Sequence, residues 1–183
     1  MHMRYYNMDK VMESIGKSPV HSVFLFQDGE LPKKPLLGTV AANFKLLKVL
    51  DLKDAPLDQL HEELPFDISR LRKLRHLLAY FDNNESESLV GPVGVKIQRG
   101  IGGLEELQNL SYVETNHGLI KELEKLRQLR KLGITKLGRE HRRALCAAIE
   151  KMKYLQHLSV TASRIDGILD LQYISSSSSP QYL

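Results

Sequence analysis

The chain has 183 residues, with 26% charged and 42% hydrophobic side chains and a formal net charge of +4. This length and composition predict one globular domain and exclude disordered and collagen-like chains. Cys146 is the single cysteine, which excludes an internal disulfide and a CxxC-type zinc or redox site. The sequence contains neither a signal-peptide core nor an apolar run of about 18 residues. We therefore expect a soluble cytoplasmic protein with no transmembrane segment.

Leucine accounts for 31 of the 183 residues and recurs at regular intervals. The pattern L-x-x-L-x-x-L-x-L, with other apolar residues at some positions, occurs five times. Its copies occupy residues 44–52, 71–79, 104–112, 126–134 and 152–160. A partial copy at Val20, Val23 and Leu25 precedes them, and Leu169 and Leu171 begin another. Most copies are separated by the 20–29 residues that are typical of leucine-rich repeats.

The spacing within each copy predicts its local structure. The alternating end predicts a short strand whose apolar residues face one side, and the leucines three positions apart predict a helical or 3₁₀ segment that returns on the other side. One unit cannot bury its leucines alone, whereas stacked units share a core. The predicted fold class is α/β, a short leucine-rich-repeat solenoid of about six coils. Parallel strands are expected on the concave face and helices or 3₁₀ turns on the convex face.

An insertion from Asp82 to Gly103 interrupts the repeats. It is predicted to begin with a polar surface loop and to continue as an extra strand in which Val93, Val95 and Ile97 alternate with other residues. Glycines at 100, 102 and 103 predict a turn into the third copy that requires a positive φ, and an anion held there is the less favoured interpretation.

The repeats also define the expected domain boundaries. We predict a loosely held leader at residues 1–17 and a leucine-rich-repeat domain at 18–174, with its insertion at 82–103. Residues 175–183 form a serine-rich end, expected to be mobile, at which a further repeat is cut off. The clearest helix is expected between Gly138 and Lys153, with Leu145 and Ile149 on its buried face.

The sequence contains no catalytic, cofactor-binding or metal-binding pattern. There is no GxxxxGK[ST] phosphate loop and no HExxH, and the seven histidines show no metal-ligand pairing. Cys146 lies in an apolar helical stretch, which predicts a buried structural thiol. The sequence therefore indicates no enzyme and no cofactor.

Two basic clusters are the main charge features. Arg70, Arg72, Lys73 and Arg75 form the first, and five lysines and arginines between 121 and 131 form the second. Aromatic side chains are not interleaved with them as a base-stacking surface requires. Nucleic-acid binding is therefore disfavoured, and a protein partner is expected.

The strand alternation predicts which side chains project from the concave face. The candidate protein-binding surface comprises Asp51, Lys53, Arg75, His76, Leu78, Tyr80, Ser111, Val113, Lys131, Thr135, His157 and Ser159. Leu78 and Tyr80 are its predicted apolar anchors. The alternative for Leu78 is local packing under the insertion.

Five segments resemble the leucine-rich-repeat region of plant nucleotide-binding leucine-rich-repeat disease-resistance proteins of the coiled-coil class. They are residues 44–52, 68–77, 100–108, 126–134 and 152–160. Their order and unequal spacing match as well as their leucines, over about residues 18–183.

The resemblance implies a role in plant defence. It implies that the repeats sense a pathogen effector or a guarded host protein and restrain a nucleotide-binding module, which is absent from this chain. It also implies a cytoplasmic location, or a peripheral one at the inner membrane through partners. ATPase activity is not implied, because the phosphate loop is missing. The alternative is a stand-alone leucine-rich-repeat scaffold or decoy that binds a host protein.

Overall fold

The computed structural model shows a parallel β-sheet backed by a layer of short helices. It describes residues 2–3, 19–25, 36–53, 63–64, 66–81, 93–97 and 99–163. The expected leader, the polar loop of the insertion and the serine-rich end lie outside the described residues, apart from His2 and Met3. The second layer corresponds to the returning segments predicted from the leucine spacing.

The repeat strands run parallel and pair in chain order. The strands are β1 (His2–Met3), β2 (Ser22–Leu25), β3 (Val49–Asp51), β4 (Glu63–Leu64), β5 (His76–Leu78), β6 (Tyr80–Phe81), β7 (Val93–Ile97), β8 (Asn109–Glu114), β9 (Lys131–Leu137) and β10 (His157–Ala162). The sheet runs from β1 through β2, β3, β5, β8 and β9 to β10. This arrangement confirms the predicted α/β solenoid with parallel strands.

The central strand leucines form a continuous buried row. Leu50 lies beside Leu77 in the adjacent strand, and Leu77 lies beside Leu110. Leu110 in turn lies beside Leu132, and Leu132 beside Leu158. All five side chains are at most 4% exposed. Burying a leucine side chain stabilises a fold by roughly 1.5–3 kcal/mol. Stacking the coils therefore supplies the hydrophobic core that no single coil has.

Backbone hydrogen bonds repeat from coil to coil just before each strand. The carbonyl oxygen of His21 accepts bonds from the N–H groups of Lys48 at 2.8 Å and Val49 at 3.0 Å. The same double acceptance recurs at the carbonyl groups of Lys48, Arg75, Gln108 and Arg130. This row holds the starts of the strands in one register across the whole array.

Short helices form the second layer. They are α1 (Leu36–Asn43), the 3₁₀ helices Phe66–Arg70 and Ile101–Gly103, α2 (His117–Leu123) and α3 (Arg139–Glu150). Each packs against the next in this order. Asn116 caps α2, because its side-chain oxygen accepts a hydrogen bond from the Leu119 N–H at 2.8 Å. In α3 the thiol-bearing Cys146 is 1% exposed, which confirms the predicted buried cysteine.

The insertion returns to the sheet as an additional strand. β7 is the extra strand predicted from Val93, Val95 and Ile97, and it pairs parallel with the carboxyl-terminal part of β8. β6 pairs antiparallel with β7, and β4 pairs parallel with it. Since β5 ends at Leu78, β7 takes the position beside β8 that a longer β5 would occupy. Gly100 has a φ of 93°, which confirms the predicted positive-φ turn.

Candidate protein-binding surface on the concave face

The structure leaves most of the predicted surface accessible to solvent. Arg75, Lys131, His157 and Ser159 are exposed. The half-buried residues of this surface are Asp51, Lys53, His76, Leu78, Tyr80 and Ser111. The strand alternation therefore predicted the accessible side of the sheet correctly for β3, β5 and β10.

A bulge in β8 reverses the alternation within that strand. Leu110 faces Leu132 and Val113 faces Ile134, so Ser111 and Tyr112 together oppose one residue of β9. Tyr112 has a φ of 53°, in the left-handed region that non-glycine residues seldom adopt. A bulge of this kind moves every later side chain to the opposite face.

The orientation predicted for Val113 is therefore wrong. Val113 is fully buried, whereas Tyr112, which the repeat pattern placed in the core, is half-exposed on the concave face. Sequence spacing alone assumes uninterrupted alternation, and the extra residue of the bulge breaks it.

Thr135 is the second residue whose predicted exposure is wrong. Its side chain is 2% exposed, because the backbone of β7 passes over it at Gly94. A Cβ atom at Gly94 would overlap Thr135 Oγ1 and lie 2.5 Å from the Tyr112 carbonyl oxygen. The insertion therefore closes the concave face over this part of β9, and glycine is required for the close approach.

Two tyrosines form an aromatic cluster near the middle of the concave face. The ring centroids of Tyr80 and Tyr112 are 4.9 Å apart and the ring planes make an angle of 64°. The Lys53 ammonium lies 5.4 Å from the centroid of the Tyr80 ring. Tyr112 also packs against Gly133, where a Cβ atom would lie 2.7 Å from the Tyr112 nitrogen. The bulge thus adds Tyr112 to the predicted anchor Tyr80.

A shallow groove of about 420 Å³ crosses β8, β9 and β10 beside this cluster. Its lining residues are Asn109, Leu110, Ser111, Tyr112, Lys131, Leu132, Gly133, His157, Leu158 and Ser159. Ser111 Oγ donates a hydrogen bond to Asn109 Oδ1 at 3.1 Å. The groove therefore combines neutral polar side chains with one aromatic and two basic side chains.

The amino-terminal end of the groove lies in a positive electrostatic environment. Burial lowers the pKa of His76 below its ordinary value of 6.5, and the nearby charges of Arg75 and Lys131 lower it further. On the preceding loop, Glu106 Oε1 lies 2.6 Å from Lys73 Nζ, and its Oε2 lies 3.4 Å from Arg75 Nε. The Lys73 hydrogen bond is the largest cause of the lowered pKa of Glu106.

The glycine turn before the third copy is occupied by a carboxylate of the protein itself. The Gly102 N–H donates a hydrogen bond to Glu122 Oε2 at 2.8 Å, and Lys125 Nζ donates to Glu122 Oε1 at 2.8 Å. Burial raises the pKa of Glu122, but hydrogen bonds from Lys125, Gly102 and Gly100, together with the positive charge of Lys125, outweigh this and lower the pKa overall. The contact joins the turn to α2 and has a structural role.

The described residues also bear on metal binding and on membrane spanning. This part of the chain contains no group of three or more His, Cys, Asp or Glu side chains placed to hold a metal ion. None of its helices has the length and apolar character needed to cross a membrane.

The comparison with protein families agrees with this architecture. The family model described as "Leucine-rich repeat region" matches residues 31–183. The chain belongs to the leucine-rich repeat region family. Over 91 residues this repeat region is 32% identical to the disease resistance protein RPM1 of Arabidopsis thaliana. The match covers 49% of this chain and 10% of that protein. The chain therefore spans a small part of its relative, and the resemblance to the repeats of plant disease-resistance proteins is confirmed.

The structure adds Tyr112, which the repeat spacing placed in the core, to the surface of this repeat region. Asn109 and Gly133 also line the groove, and both are on the outward side that the strand alternation predicts. The absence of a side chain at Gly133 allows Tyr112 to approach β9 closely. Asn109 follows from the strand alternation, because it corresponds to His76 and Lys131 in the neighbouring strands. The bulge itself has only an indirect sequence signal, the isolated glycines at 94 and 133 within strand patterns.

Proposed function

We propose that this leucine-rich repeat region is a protein-recognition module of plant defence. The observation that carries the proposal is the Tyr80–Tyr112 pair, which is half-exposed near the middle of a mostly polar concave face. Aromatic side chains surrounded by polar residues are typical of the sites that dominate protein binding. Membership of the repeat family and the similarity to a disease resistance protein support the biological setting.

The proposed partners are a pathogen effector or a guarded host protein in the cytoplasm. The proposed second role is restraint of a nucleotide-binding module, as in the proteins that this chain resembles. The basic cluster Arg70, Arg72, Lys73 and Arg75 supports this role, because all four residues are exposed and together form a positively charged surface. A catalytic role is not proposed.

Charge reversal tests the restraint role. The full chain and its Arg70→Glu, Arg72→Glu, Arg75→Glu variant are co-expressed with the nucleotide-binding module of a disease-resistance receptor from the same plant. We expect the nucleotide-binding module to co-precipitate with the unchanged chain and not with the variant. The control reverses Lys121, Arg139 and Arg143, which are distributed over α2 and α3 and carry the same total charge.

The same experiment separates the stand-alone scaffold or decoy from the restraint module. Absence of binding before and after charge reversal would refute restraint. A scaffold or decoy instead requires a host-protein partner whose binding depends on Tyr80 and Tyr112. Replacing both tyrosines with alanine should then abolish partner binding, while the arginine variant retains it.

A further inference from the structure

The groove across β8, β9 and β10 is positively charged and contains no carboxylate among its described lining residues. Its two basic groups are Lys131 and His157, and its other polar side chains carry no charge at neutral pH. Arg130 precedes Lys131, and the row of first strand positions continues from Asn109 to His76 in β5. The charge is therefore concentrated at the amino-terminal ends of the concave strands.

The positive charges in this part of the described structure are weakly compensated. Glu106, on the loop before β8, pairs with Lys73 at 2.6 Å and with Arg75 at 3.4 Å rather than with a residue of the groove. No described carboxylate forms an ion pair with Arg130 or Lys131. A carboxylate from another molecule would therefore find unused cationic partners here.

The spacing of these groups suits an extended peptide. His76, Asn109, Lys131 and His157 face one another in successive strands. Strands lie about 4.8 Å apart, so this row spans roughly 14 Å, the length of about four extended residues. Side chains two positions apart in such a peptide lie about 7 Å apart on one face. Carboxylates two residues apart can therefore lie near Lys131 and His157, the two neighbouring basic positions of the row.

The groove also offers neutral contacts for such a peptide. The side-chain oxygen of Asn109 accepts a hydrogen bond from the Ser111 hydroxyl. The side-chain NH₂ group of Asn109 can therefore donate hydrogen bonds to a ligand. Tyr112 provides an apolar wall beside these donors. We propose that this groove binds an extended acidic segment of a partner protein. The carboxylates of the segment would lie along the row of strand positions that contains Lys131 and His157, and an apolar side chain would lie against Tyr112. The inference rests on the proposed protein-recognition function and adds the chemistry of the partner.

The aromatic geometry favours a peptide over a nucleic acid. Base stacking requires an open aromatic face. Tyr80 and Tyr112 meet edge to face, the Lys53 ammonium lies over the Tyr80 ring, and Tyr112 packs against Gly133. The rings therefore present edges and partly covered faces instead of stacking platforms.

Fluorescence anisotropy with labelled peptides tests the inference on the full chain. The probe is an eight-residue peptide with glutamate at alternate positions and one phenylalanine, and its comparison peptide carries glutamine in place of glutamate. We expect the acidic peptide to bind more tightly, and Lys131→Glu to weaken its binding roughly tenfold, because attraction is replaced by repulsion. The matched control Lys121→Glu, an exposed position on α2, should change binding less than about twofold.

Three results would overturn the inference. They are equal binding of the two peptides, equal effects of Lys131→Glu and Lys121→Glu, and no binding of the acidic peptide up to about 1 mM. A single-stranded oligonucleotide could displace the peptide, and its binding could be weakened by Lys131→Glu more than peptide binding is. That result would assign the groove to nucleic acid. Circular dichroism and the neutral variant Lys131→Gln, expected to weaken binding less than Lys131→Glu, exclude misfolding as the cause. The acidic peptide could fail to bind while a protein partner still binds in a way that depends on Tyr80 and Tyr112. That result would contradict only the acidic chemistry of the partner and not the protein-recognition function.

Discussion

The two ends of the concave strands differ although the same repeat pattern runs through both. At the amino-terminal ends, the strands start in one register and present His76, Asn109, Lys131 and His157 to solvent. At the carboxyl-terminal ends, bulges at Tyr112 and Lys136 disturb the register, and β7 covers Thr135. One end is an open basic groove and the other is a closed part of the fold.

The difference shows how an insertion limits a recognition surface. The regular hydrogen-bond row before the strands depends only on neighbouring coils, and it leaves the outward side chains open. The closed end depends on β7, which comes from the insertion and lies beside β8. Repeat arithmetic alone would assign the same exposure to both ends.

The largest expected effect tests the closed end. Gly94→Ala would place a methyl group against Thr135 and the Tyr112 carbonyl, and backbone atoms cannot move away as a flexible side chain can. We expect the free energy of unfolding, measured by urea denaturation, to fall by about 1–3 kcal/mol. Gly103→Ala is the control, because its nearest neighbours are 3.7 and 3.8 Å away in Ser69 and it should change stability by less than about 0.5 kcal/mol. Similar losses at both glycines would show that β7 does not pack this closely.

Smaller effects on stability are expected for two threonines at the same end of the strands, and the two effects are opposite in sign to each other. Thr135 Oγ1 is buried and has no hydrogen-bond partner in the described structure, whereas Thr115 Oγ1 donates to the Thr135 carbonyl at 3.0 Å. Thr135→Val should therefore raise the free energy of unfolding by up to about 1 kcal/mol, and Thr115→Val should lower it by about 1 kcal/mol. Thermal and urea unfolding of both variants measure the signs. A loss of stability in Thr135→Val would reveal a partner for its hydroxyl.

The smallest effect concerns the open end and is a dependence on pH. Because burial, Arg75 and Lys131 lower the pKa of His76, the folded state favours the neutral imidazole. Its contribution to stability is complete above pH 6.5 and decreases as the pH falls from 6.5 towards the lowered pKa. His76→Gln should flatten this decrease. Lys131→Gln should raise the pKa of His76 in an NMR titration, whereas Lys121→Gln should leave it unchanged, and an equal response would contradict the field assigned to Lys131.

The repeat spacing predicted the core and most of the concave face, but not its bulged part. The buried row from Leu50 to Leu158 follows from period-two alternation in each copy. Tyr112 occupies the core position in the third copy of the pattern, yet Val113 is buried in its place. No property of the local sequence decides between these two residues. The choice depends on pairing of β8 with both β7 and β9, which are distant in the chain.

The sequence by itself determined the parallel repeat architecture, the buried leucine rows and the basic character of the surface, because each follows from residue type and spacing within one coil. Only the tertiary structure decided where the surface is open. The position of β7, the left-handed turn at Tyr112 and the burial of Thr135 arise from contacts between coils. Such contacts add free energies that no single coil possesses, so a pattern read within one coil cannot contain them.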